Sequence, residues 1–202
     1  MIIQAFIFAN IISTPILISM KKLTFFFLLF LISYHCISQT RKSIDSFLDI
    51  KLGSNAKTVK AGVAANGGRF LKDSSNTSTL VFDQVKLGNR DGLTLIVRFV
   101  KGKAFLAIFA FPNAPNECIQ YYQGLVKELN GIYGQGEPYK NFTGTYHEGD
   151  GKELEAINSG HAQYLTTWTS ANSNAIQARI EQLQLVSLMI QDTALQETLE
   201  KN

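Results

Sequence analysis

Apolar and polar positions follow two different periodicities along the chain, first the spacing of a helix and then the alternation of strands. Ala56, Val59 and Val63 recur at helical spacing. Ser54 precedes them, and its hydroxyl can accept an otherwise unpaired backbone N–H of the first turn. Asn66-Gly67-Gly68 permits the left-handed backbone that commonly ends a helix. The pattern predicts a helix that begins at Ser54 and ends at Asn66.

Strand alternation replaces the helical spacing between residues 69 and 111. Apolar and polar residues alternate at 80–82 and again at 93–99, and turn residues follow each run, at 89–92 and at 101–103. Residues 104–111 are apolar at nearly every position, which is typical of a strand buried on both faces. We therefore expect antiparallel hairpins with the last strand in the middle of a sheet.

A second helix is predicted after this group of strands. Pro112 and Pro115 end the strands and suit a helix start, because the missing N–H of proline would be unpaired there anyway. Gly134 can close the helix in left-handed geometry, and Pro138 lies shortly beyond it. The predicted apolar stripe of this helix is Cys118, Tyr122, Leu125, Leu129 and Ile132.

The stretch from Glu137 to Gly160 is polar and follows neither repeat, so it is predicted to be irregular apart from one short helix. Asp150 and Glu153 stand three positions apart, as in a capping box, and predict a helix to about Ile157. Strand alternation then resumes in three runs, and Asp192 can cap a last helix. The inward-facing residues of these runs are Ala162, Tyr164, Thr166 and Trp168, then Ile176, Ala178 and Ile180, then Val186, Leu188 and Ile190.

The order helix, strands, helix, strands, helix predicts an α+β fold. Strands joined by hairpins run antiparallel, so we expect antiparallel sheets with helices packed on one face, in two similar helix-plus-sheet halves. Gly53-Ser54 opens a helix that contains Val59, and Leu129 precedes Tyr133-Gly134 at the end of the second helix. With these details, the element order resembles the β-lactamase inhibitory protein and its relatives among small exported bacterial modules. The resemblance implies the fold and transfers no binding residue.

A basic segment and a short apolar run near the N-terminus have the pattern of an export signal. Lys21 and Lys22 precede the run 23–32, and Cys36-Ile37-Ser38 supplies small side chains before a cleavage point. Residues 20–38 are therefore predicted to be a signal peptide. Because such a signal starts a chain, residues 1–19 are interpreted as an upstream extension from a start site assigned too early.

The remaining residues, 39–202, are predicted to be a single exported α+β domain, periplasmic or extracellular, without a stable membrane span after cleavage. The whole chain has 202 residues and a net charge of +3, and loss of Lys21 and Lys22 leaves it nearly neutral. Its scattered basic residues do not form the patch of a nucleic-acid-binding protein. Cleavage also leaves Cys118 as the only cysteine, so no internal disulfide can form. The glycine-containing segments lack a nucleotide-binding pattern, and no cofactor is predicted.

Cys118, with His147 or His161 as its base, is the only pair in the sequence that suggests covalent catalysis. The helix dipole can activate a thiol near a helix N-terminus, but a cysteine on an apolar stripe commonly only packs. The two histidines and the acids between 148 and 153 are the densest set of possible metal ligands. Their spacing matches neither a zinc nor an EF-hand pattern, so no metal site is predicted. A small Cys118-dependent hydrolase remains the alternative function.

Three aromatic residues of the polar segment, Tyr139, Phe142 and Tyr146, are the best indication of function. Aromatic side chains in such a segment either fold back onto the core or contact a partner. We expect Phe142 to anchor the segment and the two tyrosines to stay partly exposed. All three are candidate ligand-binding residues of a non-enzymatic module. Its unknown ligand is a protein, peptide or glycan, held by this segment or by a face of the sheet.

Overall fold

An eight-stranded antiparallel sheet dominates the structure, a computed structural model that describes residues 42–112 and 115–200. All described residues belong to one compact unit. The predicted upstream extension, signal peptide and cleavage point lie outside the described residues. Among the described helices, none is both long and apolar enough to cross a membrane.

The first half of the fold contains one helix and four strands of the large sheet, preceded by a small hairpin. The hairpin consists of β1 and β2, which pair antiparallel. In chain order the elements are β1 (Ser46–Phe47), β2 (Ile50–Lys51), α1 (Ala56–Ala65), β3 (Arg69–Phe70), β4 (Thr79–Leu87), β5 (Arg90–Val100) and β6 (Lys103–Phe111).

The second half repeats this plan with a longer helix and adds two short helices. Single turns of 3-10 helix precede α2, at Pro115–Glu117, and β10, at Gln182–Gln184. The other elements are α2 (Cys118–Tyr133), β7 (Glu137–Phe142), α3 (Glu153–Asn158), β8 (Ala162–Thr169), β9 (Ala175–Ile180), β10 (Val186–Gln191) and α4 (Thr193–Glu200).

The strand order of the large sheet is β3-β4-β5-β6-β10-β9-β8-β7. Each half is therefore a helix followed by a four-stranded meander, and the second half runs in the opposite order from the first. The halves join where β10 pairs with β6, from Val186 opposite Phe111 to Gln191 opposite Leu106. The α+β class and the two-half plan are confirmed, and β6 lies centrally, as its apolar composition predicts.

The main core lies between one face of the sheet and helices α1 and α2. Val59 and Val63 of α1 are fully buried there, together with Phe82, Phe109 and Phe111 from the sheet. A smaller cluster lies on the opposite face, where Leu195 of α4 packs on Val100, Phe105 and Leu106. The helices thus occupy both faces of the sheet and not one face as expected from the sequence, although α4 covers only a small part of the second face.

Three of the helix ends that the sequence marked have the expected capping residue. Asn66 and Gly134 are C-caps, and Asp192 Oδ1 accepts the backbone N–H of Leu195 at 3.0 Å. The start of α1 differs, because Asn55 and not Ser54 is the N-cap. Asn55 Oδ1 accepts the N–H of Thr58 at 3.0 Å, which places the cap one residue later.

Two further predictions are corrected by small shifts along the chain. The β4–β5 turn consists of Gly88 and Asn89 rather than residues 89–92, because Gly88 takes the left-handed backbone with φ of 61°. Ile132 is 44% exposed and does not continue the stripe of α2. Tyr133 packs against the core in its place, four residues after Leu129.

The segment predicted to be irregular contains the edge strand β7 as well as the expected short helix. The helix begins at Glu153 and ends at Asn158. The two acids of the predicted capping box bind backbone N–H groups of the turn before the helix and not those of its first turn. Glu153 Oε1 accepts the N–H of Gly149 at 2.8 Å, and Asp150 accepts those of His147 and Lys152 at 3.0 and 2.8 Å. These backbone bonds hold the pKa of Asp150 below its usual value.

Strand β7 was not predicted, because an edge strand with polar side chains has no apolar alternation to reveal it. The N–H of Thr143 points towards β8 and bonds His161 O at 2.9 Å. Backbone N–H groups alternate in direction along a strand, so those of residues 136, 140 and 142 point away from the sheet. The first, of Gly136, donates to Asn130 Oδ1 at 2.9 Å, and Pro138 has no N–H. The outer edge of β7 is thus partly closed to pairing with another strand.

Candidate functional site

Cys118 lies inside the main core, where its side chain is fully buried. Burial raises the pKa of the thiol, so the reactive thiolate is disfavoured despite the helix start. The two histidines lie elsewhere in the structure. His161 is exposed, bonds Thr143 Oγ1 through Nδ1 at 3.0 Å, and stacks on Tyr146 with ring centroids 5.4 Å apart. His147 is exposed in the turn before Asp150.

The acids near the two histidines already bind groups of the protein. Glu148 pairs with Lys140, and Asp150 and Glu153 accept backbone N–H groups. Among the described residues, no group of three or more His, Cys, Asp or Glu side chains is arranged to hold a metal ion.

The three candidate aromatic residues lie in three different environments. Phe142 packs edge-on against Tyr164, with ring centroids 5.9 Å apart, and contacts the main core. Tyr146 stacks on His161, and its hydroxyl donates to Glu155 Oε1 at 2.8 Å. Tyr139 is 49% exposed. Because it is three positions from Phe142 on one strand, it lies on the opposite face of the sheet.

The face of the sheet opposite α1 and α2, here called the open face, is covered by α4 alone among the described helices. A row of directly paired, partly exposed residues runs across it through six strands. Four of these residues are apolar and adjacent. In order from β4 to β8 the row is Val81, Ile96, Ile108, Met189, Gln177 and Thr167.

Charge on the open face is sparse and largely paired. Arg69 binds Asp83 at the β3–β4 end, and Arg179 binds Glu181 on β9 and just beyond it. Arg98 lies over the ring of Phe105 at 5.8 Å. Glu137 on β7 is an exposed carboxylate opposite Thr167. The remaining outward positions carry mostly neutral polar or small side chains, of which Ser187 is buried, namely Thr79, Thr94, Ala110, Gln163, Thr167, Thr169, Ala175, Gln177, Ser187 and Gln191.

A pocket of about 360 Å³, here called the Tyr139 pocket, lies at the β7–β9 end of the sheet. Tyr139 and Leu165 are directly opposite each other on β7 and β8, and Arg179 faces Leu165 from β9. The pocket thus combines a half-exposed aromatic ring with amide, guanidinium and carboxylate groups. Its principal side chains are those of Tyr139, Gln163, Leu165, Arg179, Glu181 and Gln182.

The charged side chains of the Tyr139 pocket are held in place by one another. Arg179 binds Glu181 through two nitrogens, and its Nη2 lies 2.8 Å from Glu181 Oε2. Ser187 Oγ, on the neighbouring strand, donates to Glu181 Oε1 at 2.9 Å. Such a forked pair fixes both side chains more firmly than a single contact would.

The turn beside the pocket has a strained backbone. Leu183 and Gln184 are consecutive left-handed residues, with φ of 63° and 61°, and neither is glycine. Leu183 is also 86% exposed, so packing of its side chain does not compensate for the strain. On the other side of the pocket Gly160 has φ of +76°, and a Cβ there would lie 3.0 Å from Gln182 Nε2. The amide of Gln182 therefore rests against the backbone of Gly160.

A second hollow, of about 920 Å³, lies between the β1–β2 hairpin and α1. It is wider and more open than the Tyr139 pocket, and its surface is mainly apolar. Its lining also includes polar and charged residues, namely Asp49, Lys51, Ser54, Lys57, Thr58 and Asn66. Because this hollow is the more open of the two and offers no exposed aromatic ring, the Tyr139 pocket is the better candidate site.

Sequence reasoning identified Tyr139 but missed the residues that surround it. Gln163, Arg179, Glu181 and Gln182 come from strands and a turn that begin more than twenty residues later. One signal was available: Arg179 and Glu181 are opposite charges two positions apart, so in a strand both lie on the outward face.

No protein-family model matches the chain, and no curated protein or solved structure is detectably similar to it.

Proposed function

We propose that the protein is an exported, non-enzymatic binding module whose ligand contacts the open face of the sheet. The observation that carries the proposal is the partly exposed apolar row of that face, which Gln177 and Thr167 continue onto two strands of the Tyr139 pocket. Val81, Ile96, Ile108 and Met189 are adjacent across four strands and only partly buried. A contiguous apolar surface rimmed by polar groups is typical of a docking site.

The size of the open face is suitable for a macromolecular ligand. Eight strands about 4.8 Å apart span roughly 35 Å, and six residues of a strand extend about 20 Å. The face therefore offers at most about 700 Å², reduced at the two-residue β3 and beneath α4, compared with the roughly 800 Å² that each partner contributes to a standard protein interface. The scarcity of unpaired charge favours a ligand that is recognised by shape and hydrogen bonds.

The alternative of a Cys118-dependent hydrolase loses its support. The thiol is buried in the core, burial raises its pKa, and His161 is bonded to Thr143 rather than to the cysteine. A nucleophile needs both an accessible path and a base within hydrogen-bond reach. The export part of the proposal is supported by the basic and apolar pattern of residues 20–38.

Substitution on the open face, with a matched substitution elsewhere, tests the proposal. Purified wild-type protein, Ile108→Arg and Ile132→Arg are immobilised and exposed to an envelope extract that contains proteins and glycans. Ile132 is an apolar residue 44% exposed on α2, away from the open face. We expect Ile108→Arg to lose the components that the wild type retains and Ile132→Arg to keep them.

Thermal unfolding shows whether Ile108→Arg is folded. If it is not, Gln177→Arg places the same charge on a partly exposed polar position of the same row. Retention of an unchanged set of components by folded variants at both positions would contradict the proposal.

A further inference from the structure

We propose that the Tyr139 pocket binds a neutral oligosaccharide. The assignment rests on the proposed binding function and names the ligand class of one part of the same surface. It follows from the aromatic ring, the types of polar group and the balance of charge in the pocket.

Tyr139 supplies a flat apolar surface that remains accessible. Its ring is 49% exposed, although it stands on a regular strand and not on a mobile tip. Leu165, directly opposite on β8, extends this surface. A sugar ring has one face made mainly of C–H groups and a rim of hydroxyls, so it can lie on an aromatic ring while its hydroxyls reach polar groups nearby. A tyrosine ring offers such a surface at low entropic cost.

The polar groups around the ring suit a ligand that carries many hydroxyls. The amides of Gln163 and Gln182 each offer donors and an acceptor, so each can bind two neighbouring hydroxyls. Arg179 adds donors, and Glu181 adds acceptors in a fixed orientation because Arg179 and Ser187 both bind it. Held side chains lose little freedom when a ligand arrives.

The balance of charge excludes a strongly charged ligand. The guanidinium of Arg179 and the carboxylate of Glu181 cancel each other, and the other principal side chains of the pocket are neutral. An anionic ligand would meet Glu181, and a cationic ligand would meet Arg179, so each would encounter one like charge. An uncharged ligand encounters neither penalty.

The carboxylate count of the pocket indicates binding rather than hydrolysis. Glycosidases typically use two carboxyl groups about 5–9.5 Å apart. Among the residues that line the pocket, Glu181 alone has a carboxylate, and it is already bound to Arg179 and Ser187. The volume of about 360 Å³ is near the lower end of the range of small-molecule pockets, which indicates a short saccharide.

Binding of three neutral disaccharides to the purified protein tests the assignment. Maltose, cellobiose and N,N′-diacetylchitobiose are titrated separately, with glucuronic acid and glucosamine as charged probes, and binding is followed by calorimetry and by saturation-transfer NMR. The variants are Tyr139→Ala, Tyr139→Phe and Gln163→Ala. Gln123→Ala is the matched control, because Gln123 is also an exposed glutamine but lies on α2.

At least one neutral disaccharide is expected to bind saturably and more tightly than either charged probe. Tyr139→Ala should weaken that binding about tenfold or more, whereas Tyr139→Phe, which keeps the ring, should change it by less than about threefold. Gln163→Ala should weaken it, and Gln123→Ala should leave it unchanged. The melting temperature of Tyr139→Ala should stay close to that of the wild type, because the ring is half exposed.

The assignment is overturned if none of the three disaccharides binds, if Tyr139→Ala leaves binding intact, or if a charged probe binds as well as the neutral ones. These outcomes are separate from the test of the proposed function. Loss of extract components by Ile108→Arg, without disaccharide binding, would reject the glycan and leave the open face as a docking surface for another ligand. Retention of the same components by folded Ile108→Arg and Gln177→Arg would reject the docking surface whatever the sugars do.

Discussion

At the scale of single residues, the burial of Cys118 determines its chemistry. The side chain is fully buried and its pKa is raised, so thiol reagents cannot reach the sulfur and little of it is in the reactive thiolate form. We expect negligible reaction with a thiol reagent at neutral pH in the folded chain 39–202, and complete reaction after unfolding in urea. Rapid labelling without urea would show that the core opens near α2.

Two apolar residues three positions apart on α2 should differ sharply in their effect on stability. Leu129 is 7% exposed and belongs to the main core, whereas Ile132 is 44% exposed. Leu129→Ala should lower the free energy of unfolding by about 2–5 kcal/mol, because it removes buried methyl groups and leaves a cavity. Ile132→Ala should cost less than about 0.5–1 kcal/mol. Urea unfolding of both variants gives the comparison. Equal losses of unfolding free energy would mean that α2 is rotated about its axis and buries Ile132 as well.

Tyr164 should make the protein sensitive to high pH. Its side chain is 4% exposed, and burial, with smaller contributions from Glu153 and Glu148, raises the pKa of the phenol to about 12. In the unfolded chain the phenol loses its proton near pH 10. The stabilisation is therefore complete below about pH 10 and is lost as the pH rises towards 12, since the folded state then binds more protons than the unfolded state.

Urea unfolding between pH 9 and pH 12 measures this effect. Tyr164→Phe should lose less stability over that interval than the wild type, because phenylalanine has no proton to lose. Tyr139→Phe, which changes a half-exposed ring, should follow the wild type. Parallel curves for Tyr164→Phe and the wild type would mean that other groups cause the alkaline unfolding.

At the scale of elements, the alternation of apolar residues was sufficient to predict the strands that bury one face. All ten inward-facing residues predicted for β8, β9 and β10 are buried, from Ala162 to Ile190. Strand β7 escaped prediction because four of its six residues are exposed and neither face is fully buried. For that reason the sequence pattern does not separate Tyr139 from Phe142, although the pleat of the strand directs them to opposite faces.

The β9–β10 turn should tolerate a substitution that relieves its backbone strain. A left-handed conformation costs a β-carbon-bearing residue about 1–2 kcal/mol, and asparagine less than most. Leu183 is 86% exposed, so its replacement removes little packing. We expect Leu183→Asn to raise the free energy of unfolding by about 0.5–1 kcal/mol. Calorimetric unfolding would detect the change, and a decrease in stability would show that the side chain makes a contact of its own.

At the scale of the whole molecule, each half of the fold depends on the other to cover its last strand. Strand β6 is apolar on both faces, with Phe105, Leu106 and Phe109 among its buried residues, and β10 covers its outer edge. Residues 39–112 produced alone should aggregate, because β6 would become a long, apolar, exposed edge. Light scattering of that fragment, compared with the chain 39–202, tests this, and a soluble folded monomer would contradict it.

The candidate site could be predicted from the sequence only in part. Tyr139 is predictable because an aromatic side chain in a polar segment either packs on the core or contacts a partner. Arg179 and Glu181 could not be assigned to it, since their proximity depends on the order of β7, β8 and β9 in the sheet. The fold class follows from local pattern, whereas the pocket depends on long-range pairing that no local pattern encodes.

The two-half plan of the sheet has a consequence for stoichiometry. The position equivalent to the Tyr139 pocket in the first half would be flanked by β3, β4 and β5. Strand β3 has only two residues, and the β5–β6 turn is the two-residue Lys101-Gly102, which provides no wall like that of the five-residue connection 181–185. The two halves of the sheet are similar, but only the second half has the candidate site. A saturable ligand should therefore titrate with one molecule per chain.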